Sequence, residues 1–527
     1  MALLGLSLLV ALAVKSAAQE SEPASKPMYI QEYRVTGAKI LPAIEVEEAV
    51  YPFLGPGRTS EDVEKARAAL EKAYQDKGFQ TVQVQIPQQQ VRRGVVLLEV
   101  VENKVGRLRV RGSRFFAIDK IKAKVPSLAE GKVPNFNDVT REIVGLNGWA
   151  DRRVTPTLKP GVVPGTVDID LTVKDTFPLH GNVEVNNRYS ADTKPLRLSG
   201  SVSYNNLWQR GHSAGASFQV SPQDLEQVKV FSGYYIARFA TIDWLSVMVQ
   251  GVKQNSNVST LGAVAVAGRG EVIGARALIS LPPRKDFYHS ANVGIDYKHF
   301  EQEVGFGATT PGVAASTTIT PISYYPFTLG YTATWVGKNY TTDFNGAVNL
   351  HLRGMGSESP QWDDNRYNAD GNYIYVRGDL SHTQKLPWGF ELFGKVQGQL
   401  SDQPLVSSEQ MGGGGLGTVR GYLEAEVLGD NAGFGTLELR GPSLFGWWGR
   451  KDTEWQLYAF AEGGVLNIHD PLPEQTASFR LASVGVGSRL KLLDYLNGSV
   501  DLALPLISQT ATQAHDPFLS FRVWADF

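Results

Sequence analysis

From about residue 179 to the C-terminus, apolar and polar residues alternate with a period of two. In the last segment Leu519, Phe521, Val523, Ala525 and Phe527 alternate with Ser520, Arg522, Trp524 and Asp526. Similar alternations run through residues 196–205, 343–352 and 390–400. Successive side chains of a β-strand point to opposite faces, so this pattern predicts many strands with one apolar and one polar face.

The connections between these predicted strands are short and long in turn. The short ones cover residues 208–212, 282–287, 337–339, 387–389 and 494–497, and the long polar ones cover 255–270, 301–318 and 353–371. A soluble sandwich would share the alternation, so the spacing decides between the two folds. Short turns on one side and long loops on the other are typical of outer-membrane barrels, and we count about sixteen strands. A barrel of this width encloses an aqueous lumen.

Residues 28–176 have a different sequence pattern, in which predicted strands and helices form two similar repeats. The first repeat (28–104) predicts strands at 29–35, 81–86 and 95–101 and helices at 42–54 and 60–77; the second (105–176) predicts a helix at 137–146 and strands at 154–158 and 167–173. In both repeats a strand ends in glycine before a helix, at Gly37 and at Gly112. The shared β-α-α-β-β order predicts two small α+β modules. Their sheet edges can accept an extended chain as an added strand.

The N-terminus indicates an exported protein. Residues 1–14 are nearly all apolar and precede Ser16-Ala17-Ala18-Gln19, which is typical of a signal-peptide cleavage site. We therefore predict a signal peptide at residues 1–18, too short to span a bilayer. No later stretch has the apolar length of a membrane helix, so the mature chain is expected in the periplasm, in the medium or as an outer-membrane barrel.

Composition and motifs narrow the function classes. The net charge of -2 gives no general attraction to nucleic acid, and the absence of cysteine excludes disulfides and thiolate metal sites. The eight histidines are scattered, so no metal or other cofactor is expected. The glycines at 412–415 lack the Lys-Ser/Thr of a phosphate loop. Residues 211–215, Gly-His-Ser-Ala-Gly, match a hydrolase nucleophile elbow, but the sequence continues as a strand and not as the required helix.

The tetrad Val419-Arg420-Gly421-Tyr422 lies in a long connection between predicted strands, after a glycine-rich stretch and before acidic residues. An arginine on a surface loop is usually only solvated. If the loop folds into the barrel lumen, however, Arg420 can pair with an inward carboxylate, and the reduced dielectric strengthens such a pair. The alternation around residues 457–465 places Phe460, Glu462 and Gly464 on the inward face.

These features together resemble the outer-membrane transporters that combine POTRA domains with a barrel. With two POTRA-like repeats, the chain is most similar to the two-partner secretion transporters of the haemolysin secretion/activation type. In that family the Val-Arg-Gly-Tyr tetrad lies at the tip of an inward-folded loop, and its arginine pairs with the aspartate of a Phe-x-Asp-x-Gly segment on a barrel strand. The resemblance thus implies a loop latch at residues 419–422 and a wall partner at Phe460, Glu462 and Gly464, with glutamate in place of aspartate.

The resemblance also implies the remaining architecture: a signal peptide (1–18), two POTRA domains (28–104 and 105–176) and a transmembrane barrel (179–527). Members often carry a plug helix before the first POTRA domain, for which residues 20–27 leave no room. We therefore expect either no plug or an upstream start. The aromatic end of the closing strand, with Phe521, Val523 and Phe527, is the expected assembly signal for the barrel-assembly machinery.

By this resemblance the protein is a monomeric transporter and not an enzyme. It is expected in the outer membrane of a Gram-negative bacterium, surrounded by outer-membrane lipid, with its POTRA domains in the periplasm. Its partner would be an unfolded secreted exoprotein of β-helical fold, driven outward by folding on the far side. Two alternatives stay open: an insertase of the same superfamily, and a porin or outer-membrane hydrolase. The sequence leaves open which cargo is exported and whether export activates it.

Overall fold

A computed structural model describes residues 27–527 except 192, 240–241, 256–257, 260–265, 268, 307–315, 449–452, 474 and 494. The signal peptide predicted at residues 1–18 lies outside the described residues. The chain divides into two compact units, Met1–Thr176 and Phe177–Phe527. Within the described part of the chain, no helix combines the length and the apolar character that a membrane-crossing helix needs.

The N-terminal unit begins with a first α+β module. It consists of β1 (Met28–Ile30), β2 (Glu32–Thr36), α1 (Ala43–Val50), a 3-10 helix (Tyr51–Phe53), β3 (Gly55–Arg58), α2 (Ser60–Asp76), β4 (Val82–Gln85) and β5 (Val95–Glu102). Strand β5 lies between β2, to which it is parallel, and β4, to which it is antiparallel. Helix α2 buries the stripe Val63, Ala66, Leu70 and Tyr74 against this sheet. Its N-cap is Thr59, whose amide donates to Asp62 Oδ2 (2.9 Å).

The second module has the same topology as the first. It consists of β6 (Lys104–Arg111), α3 (Ile118–Ala123), a 3-10 helix (Pro126–Leu128), α4 (Phe136–Asn147), β7 (Arg152–Pro160) and β8 (Thr166–Asp175). Strand β8 is parallel to β6 and antiparallel to β7, which gives the same strand order as in the first module. Each module has its own apolar core. The repeated sequence pattern therefore corresponds to a repeated fold.

The two modules are joined at the end of helix α2. The carbonyl of Gly78 accepts a hydrogen bond from the Phe136 amide (2.8 Å), and Asn135 Nδ2 donates to the Lys77 carbonyl (3.0 Å). Gly78 has φ +96°, and a Cβ there would lie 2.5 Å from Asn135 Oδ1. Glycine is thus required both for the backbone conformation and for the close approach of the second module.

The C-terminal unit is a closed antiparallel barrel. Its strand segments are β9 (Leu179–Asn186), β10 (Arg197–Leu207), β11 (His212–Val220), β12 (Lys229–Arg238), β13 (Leu245–Asn255), β16 (Arg269–Ser280), β17 (Phe287–Phe306), β18 (Ser316–Tyr324), β19 (Phe327–Val336), β20 (Tyr340–His351), β21 (Tyr373–Lys385), β22 (Glu391–Ser401), β25 (Asn431–Arg440), β26 (Glu454–Asn467), β27 (Ser478–Leu492), β28 (Leu496–Pro505) and β29 (Phe518–Asp526). Segments β18 and β19 both pair with β17 and follow each other as one bent strand. The barrel therefore has sixteen strands, as the sequence predicts.

Shorter elements lie in the connections of the barrel. They are β14 (Val258–Ser259), β15 (Val266–Ala267), β23 (Met411–Gly413), β24 (Val427–Gly429), α5 (Ser359–Asn365) and the 3-10 helices Pro387–Gly389 and Leu444–Trp448. The hairpin of β23 and β24 belongs to the connection between β22 and β25, which contains the tetrad at 419–422. This connection, residues 402–430, is called the lumen loop below.

The two faces of the barrel wall differ as the alternation predicts. On strand β22, Leu400 is 72% exposed, whereas the neighbouring Gln399 is 1% exposed. On the closing strand β29, Leu519 and Val523 are exposed apolar residues, as is Phe527 directly after the strand. Apolar side chains thus form the outer surface that a membrane barrel needs.

One expectation from the sequence, the long loop at residues 301–318, is wrong in detail, whereas the reading of residues 211–215 as the start of a strand is confirmed. Residues 301–318 are not a loop throughout, because β17 extends to Phe306 and pairs with β18 from Ser316 onward. Backbone pairing satisfies the N–H and C=O groups whatever the side chains are, so polar residues can continue a ladder. The elbow-like motif is part of strand β11, where Ser213 pairs with Ile236 and no helix follows. That geometry contradicts a nucleophile elbow.

The barrel closes between its last strand and its first. Residues from Arg522 to Asp526 on β29 pair with Asn186 to Asn182 on β9. The amide of Phe527 donates to the Gly181 carbonyl (2.9 Å), and the Gly181 amide donates to the Phe527 carbonyl (2.9 Å). Across the same seam, Arg522 donates two hydrogen bonds to Glu184 (2.9 and 2.8 Å).

Candidate functional site

The lumen loop is packed against the inner face of the barrel wall. Within its tetrad, Val419 is 0%, Arg420 5% and Tyr422 1% exposed. A polar loop in solvent would leave these groups hydrated, and a buried arginine is stable only when charged or polar partners replace the water. The burial of the tetrad therefore depends on groups that the wall supplies.

Arg420 is bound by three carboxylates from three different strands. Its Nε and Nη2 donate to Glu462 Oε1 (3.0 and 2.7 Å), and its backbone amide donates to Glu462 Oε2 (2.6 Å). Nη1 donates to Asp501 Oδ1 (2.9 Å), and Nη2 also reaches Glu438 Oε2 (3.1 Å). The planar guanidinium can serve several acceptors at once, which the point charge of a lysine cannot do in the same geometry. One loop residue thus links strands β25, β26 and β28.

The charges around Arg420 are balanced. Glu438 also accepts from Arg440 Nε (2.6 Å) and forms an ion pair with Arg489 (2.9 Å). Three arginines therefore face the three carboxylates of Glu438, Glu462 and Asp501. Buried ions of one sign would repel each other and carry a large desolvation cost, whereas a matched network offsets both.

Aromatic rings complete the surroundings of Arg420. The guanidinium carbon lies 3.5 Å from the centroid of the Phe460 ring. A cation over an aromatic face is attracted by the ring quadrupole, more strongly where water is excluded. The hydroxyl of Tyr458 donates to Asp501 Oδ1 (2.7 Å), so this carboxylate is fixed by the wall as well.

Gly421 and Tyr422 fix the backbone next to the arginine. Gly421 has φ +94°, and a Cβ there would lie 3.2 Å from the Ala503 Cβ of strand β28. The Tyr422 hydroxyl lies 2.7 Å from the Ile507 carbonyl and 3.0 Å from the Ala482 carbonyl. Glycine therefore permits the turn and the close approach, and tyrosine attaches the loop to strand β27 and to the connection that follows β28.

The structure brings together some of the residues that the sequence singles out, and leaves others apart. Arg420, Phe460 and Glu462 are in direct contact. Gly464 instead lies beneath the ring of Phe434, where a Cβ would be 2.1 Å from a ring carbon. The C-terminal residues Phe521 and Val523 belong to the closing strand, and Phe527 follows it directly and is bonded to Gly181. Phe521 is held there through its amide, which donates to Asn187 Oδ1 (2.7 Å).

Sequence reasoning missed Glu438 and Asp501 as partners of Arg420. Each occupies an inward position on its strand, between outward-facing apolar residues such as Leu437 and Leu439 for the former. A charged residue at an inward position of an otherwise regular strand can be recognised in the sequence. Strands β25 and β28 are far apart along the chain, however, so the sequence does not show that both residues contact Arg420. The described residues contain no group of three or more histidines or carboxylates arranged to hold a metal ion.

Tyr422→Phe is expected to weaken the attachment of the loop without disrupting the barrel. The change removes a hydroxyl that is buried against two carbonyls, at a cost of about 1–2 kcal/mol. The heat-dependent unfolding of the purified barrel, followed by gel mobility, should shift to a lower temperature. Tyr331→Phe removes a hydroxyl from the outer face and is the matched control. Equal shifts in the two variants would contradict a specific role of Tyr422.

Known protein families and individual relatives are similar to this chain. The family described as "POTRA domain, ShlB-type" matches residues 28–103, and that described as "Haemolysin secretion/activation protein ShlB/FhaC/HecB" matches residues 325–490. The chain is 22% identical over 487 residues to the outer membrane transporter CdiB of Dickeya dadantii, covering 86% of this chain and 78% of the relative. It is 20% identical over 390 residues to the heme/hemopexin transporter protein HuxB of Haemophilus influenzae, covering 72% and 66%.

Solved structures share the fold. CdiB from Escherichia coli superimposes with a TM-score of 0.66 at 18% identity, covering 98% of this chain and 93% of that structure. CdiB from Acinetobacter baumannii gives a TM-score of 0.60 at 14% identity, covering 96% and 91%. At this identity the likeness establishes the architecture, and the matched families and relatives add the functional class.

Proposed function

Because this chain belongs to the two-partner secretion transporters of the outer membrane, we propose that its periplasmic modules capture one secreted protein in unfolded form and its barrel conducts it outward. Transporters of this family export a partner protein and are not known as enzymes. The barrel lies in the outer membrane and the POTRA region in the periplasm, as in the relatives.

Capture is assigned to the sheet edges of the N-terminal unit. The matched POTRA family covers the first module, and the identical strand order of residues 104–175 supports a second POTRA domain there. In each module the outer strands of the three-stranded sheet, β2 and β4 in the first and β6 and β7 in the second, have a neighbouring strand on one side only, so an extended segment of cargo can add to the open side as a further strand. Backbone pairing of this kind requires an unfolded partner and tolerates many sequences.

Passage of the cargo is assigned to the barrel lumen. The main support for this assignment is the contact of Arg420 with three carboxylates of the wall. The loop is held there by hydrogen bonds and ion pairs, which can break and reform without covalent chemistry. We assign the tetrad and its wall partners the role of a latch that positions the loop. Folding of the exported protein outside, as a β-helix in our proposal, would prevent its return and drive the transport.

The closing strand with Phe521 and Val523, together with Phe527 directly after it, is assigned as the signal read by the barrel-assembly machinery, and the transporter is proposed to act as a monomer. The apolar outer face is the surface for outer-membrane lipid.

A deletion strain tests the proposed export. The strain is expected to lose one large protein from the culture medium and to retain its normal set of outer-membrane proteins. Reintroducing the chain on a plasmid should restore that protein. An insertase would instead be indicated by the depletion of many outer-membrane barrels, and a plain porin by altered uptake of small solutes with unchanged secretion.

A further inference from the structure

Glu409 forms a second buried contact between the lumen loop and the barrel wall. Its side chain is 1% exposed although a carboxylate normally carries a charge. Oε1 accepts hydrogen bonds from Lys298 Nζ (2.5 Å) and from the Tyr324 hydroxyl (2.6 Å), and Oε2 accepts from the Tyr375 hydroxyl (2.8 Å). A buried carboxylate is tolerated only with such a complete set of donors. Glu409 is therefore firmly bound.

The backbone at Glu409 is attached to the wall as well. Its carbonyl accepts from Arg377 Nη2 (3.0 Å) and from Gln399 Nε2 (3.2 Å). Around the carboxylate, Tyr324, Tyr375 and the neighbouring Leu405 belong to one buried apolar cluster that excludes water. Charge-assisted hydrogen bonds gain strength in such an environment.

In the order of strands around the barrel, the loop leaves the wall between β22 and β25. The wall residues that bind Glu409 lie before this point, and those that bind Arg420 lie after it. The loop connects β22 and β25, which are neighbouring strands. The residues that bind the Glu409 carboxylate are on β17, β18 and β21, whereas the carboxylates that bind Arg420 are on β25, β26 and β28. The loop is thus attached to two separate sectors of the barrel.

Between these two contacts the loop is packed as one body. Met411, close to Glu409, and both Val419 and Tyr422, beside Arg420, belong to a single buried apolar cluster. Strands β23 and β24 form a short ladder in which Met411 pairs with Gly429 and Gly413 pairs with Val427. The Gly414 amide also donates to the Thr418 hydroxyl (2.8 Å). A segment packed in this way transmits a displacement from one end to the other.

We propose that Glu409 is a second positioning residue, which holds the half of the lumen loop that Arg420 does not reach. The loop then leaves its place in the lumen only when the Lys298–Glu409 contact and the Arg420 contact have both broken. The inference rests on the proposed role of this loop in export, but it concerns how the loop is held. It requires that loss of the contact at Glu409 loosens the loop around Val419 and Arg420, about ten residues further along the chain.

Thiol labelling measures this coupling directly, because the chain contains no cysteine. Val419→Cys places one thiol at a position that is 0% exposed, so maleimide reaches it only when the loop opens. Glu409→Gln and Lys298→Met, each in this background, are expected to raise the labelling rate about tenfold or more. Lys298→Met is the clearer test of the coupling, because it leaves the sequence of the loop unchanged.

Arg276→Met is the matched control. Arg276 is also a cation on the wall, and it donates to the buried carboxylate of Asp296 (2.8 Å), but that carboxylate lies on the neighbouring strand β17 and not on the loop. Labelling of the thiol at position 419 in this variant should stay within about twofold of the rate measured with Val419→Cys alone. A similar rise in all three variants would show general loosening of the barrel and overturn the proposal.

A second reporter separates coupling from local packing. Met411→Cys lies two residues from Glu409. Faster labelling at position 411 with an unchanged rate at position 419 would show that Glu409 holds only its own surroundings, and would overturn the proposal. An unchanged labelling rate at both positions would also overturn it. If Glu409→Gln does not yield a folded barrel, Lys298→Met and Tyr375→Phe carry the test. No exported protein is needed, so failure here leaves the proposed export untouched.

Discussion

Replacing Arg420 by alanine is expected to lower export of the partner protein by about tenfold or more while the barrel still assembles. The change leaves Glu438, Glu462 and Asp501 buried without the cation that they share. Breaking a buried ion pair from one side costs about 3–5 kcal/mol. The strand ladder does not involve this side chain, so the cost should fall on the position of the loop and not on barrel closure.

Export of the partner is measured in the culture medium, with the amount of folded transporter in the outer membrane as the reference. Arg276→Ala is the control, because it removes an arginine from a wall-to-wall ion pair that does not include the loop. Arg420→Lys should restore part of the export, since an ammonium supplies the charge but not the branched donor geometry. Normal secretion by Arg420→Ala, at equal transporter levels, would rule out the latch.

Removing Phe527 is expected to reduce the amount of assembled barrel several-fold, the second large effect. Phe527 exchanges two backbone hydrogen bonds with Gly181 across the seam. Its ring also lies directly over this glycine, where a Cβ would be 2.0 Å from a ring carbon. Deletion therefore removes both a pair of ladder bonds and the aromatic cover of the first strand.

Two further variants distinguish the ring from the backbone. Phe527→Ala retains both hydrogen bonds to Gly181 and loses only the ring, whereas Phe527→Tyr retains the ring. If the aromatic ring is the assembly signal, the alanine variant should be as poorly assembled as the deletion and the tyrosine variant should be normal. Barrel yield is read from heat-dependent gel mobility of outer-membrane fractions. Unaltered yield in the deletion would exclude the assembly role.

The contact at Glu409 changes how the effect of Arg420 is understood. If Arg420 and the neighbouring Tyr422 held the loop alone, loss of Arg420 would leave it attached only through the Tyr422 hydroxyl. With the additional hydrogen bonds from Lys298, Tyr324 and Tyr375 to Glu409, the loop of Arg420→Ala stays attached at one end. Export in a double variant of Arg420 and Lys298 should then fall below that of either single variant.

The periodic features of this protein were predictable from its sequence. Alternation with a period of two follows from strand geometry and from the need to place apolar side chains toward lipid, so the barrel and its inward positions could be inferred. The stripe of Val63, Ala66, Leu70 and Tyr74 likewise predicted helix α2. Polar strand ends escaped this reasoning, as at residues 301–306, because backbone pairing does not require apolar side chains.

The partners within the lumen were decided only by the tertiary structure. Glu462 could be proposed for Arg420 because both lie in short recognisable motifs, but Glu438 and Asp501 meet the arginine through barrel closure and register. Glu409 gave no signal in the sequence, since a single acidic residue in a polar loop is ordinarily solvated. Glu409 is buried by Lys298, Tyr324 and Tyr375, which lie on three strands far from Glu409 along the chain. Contacts between such distant residues are fixed by the curvature and stagger of the closed sheet, which local sequence does not encode.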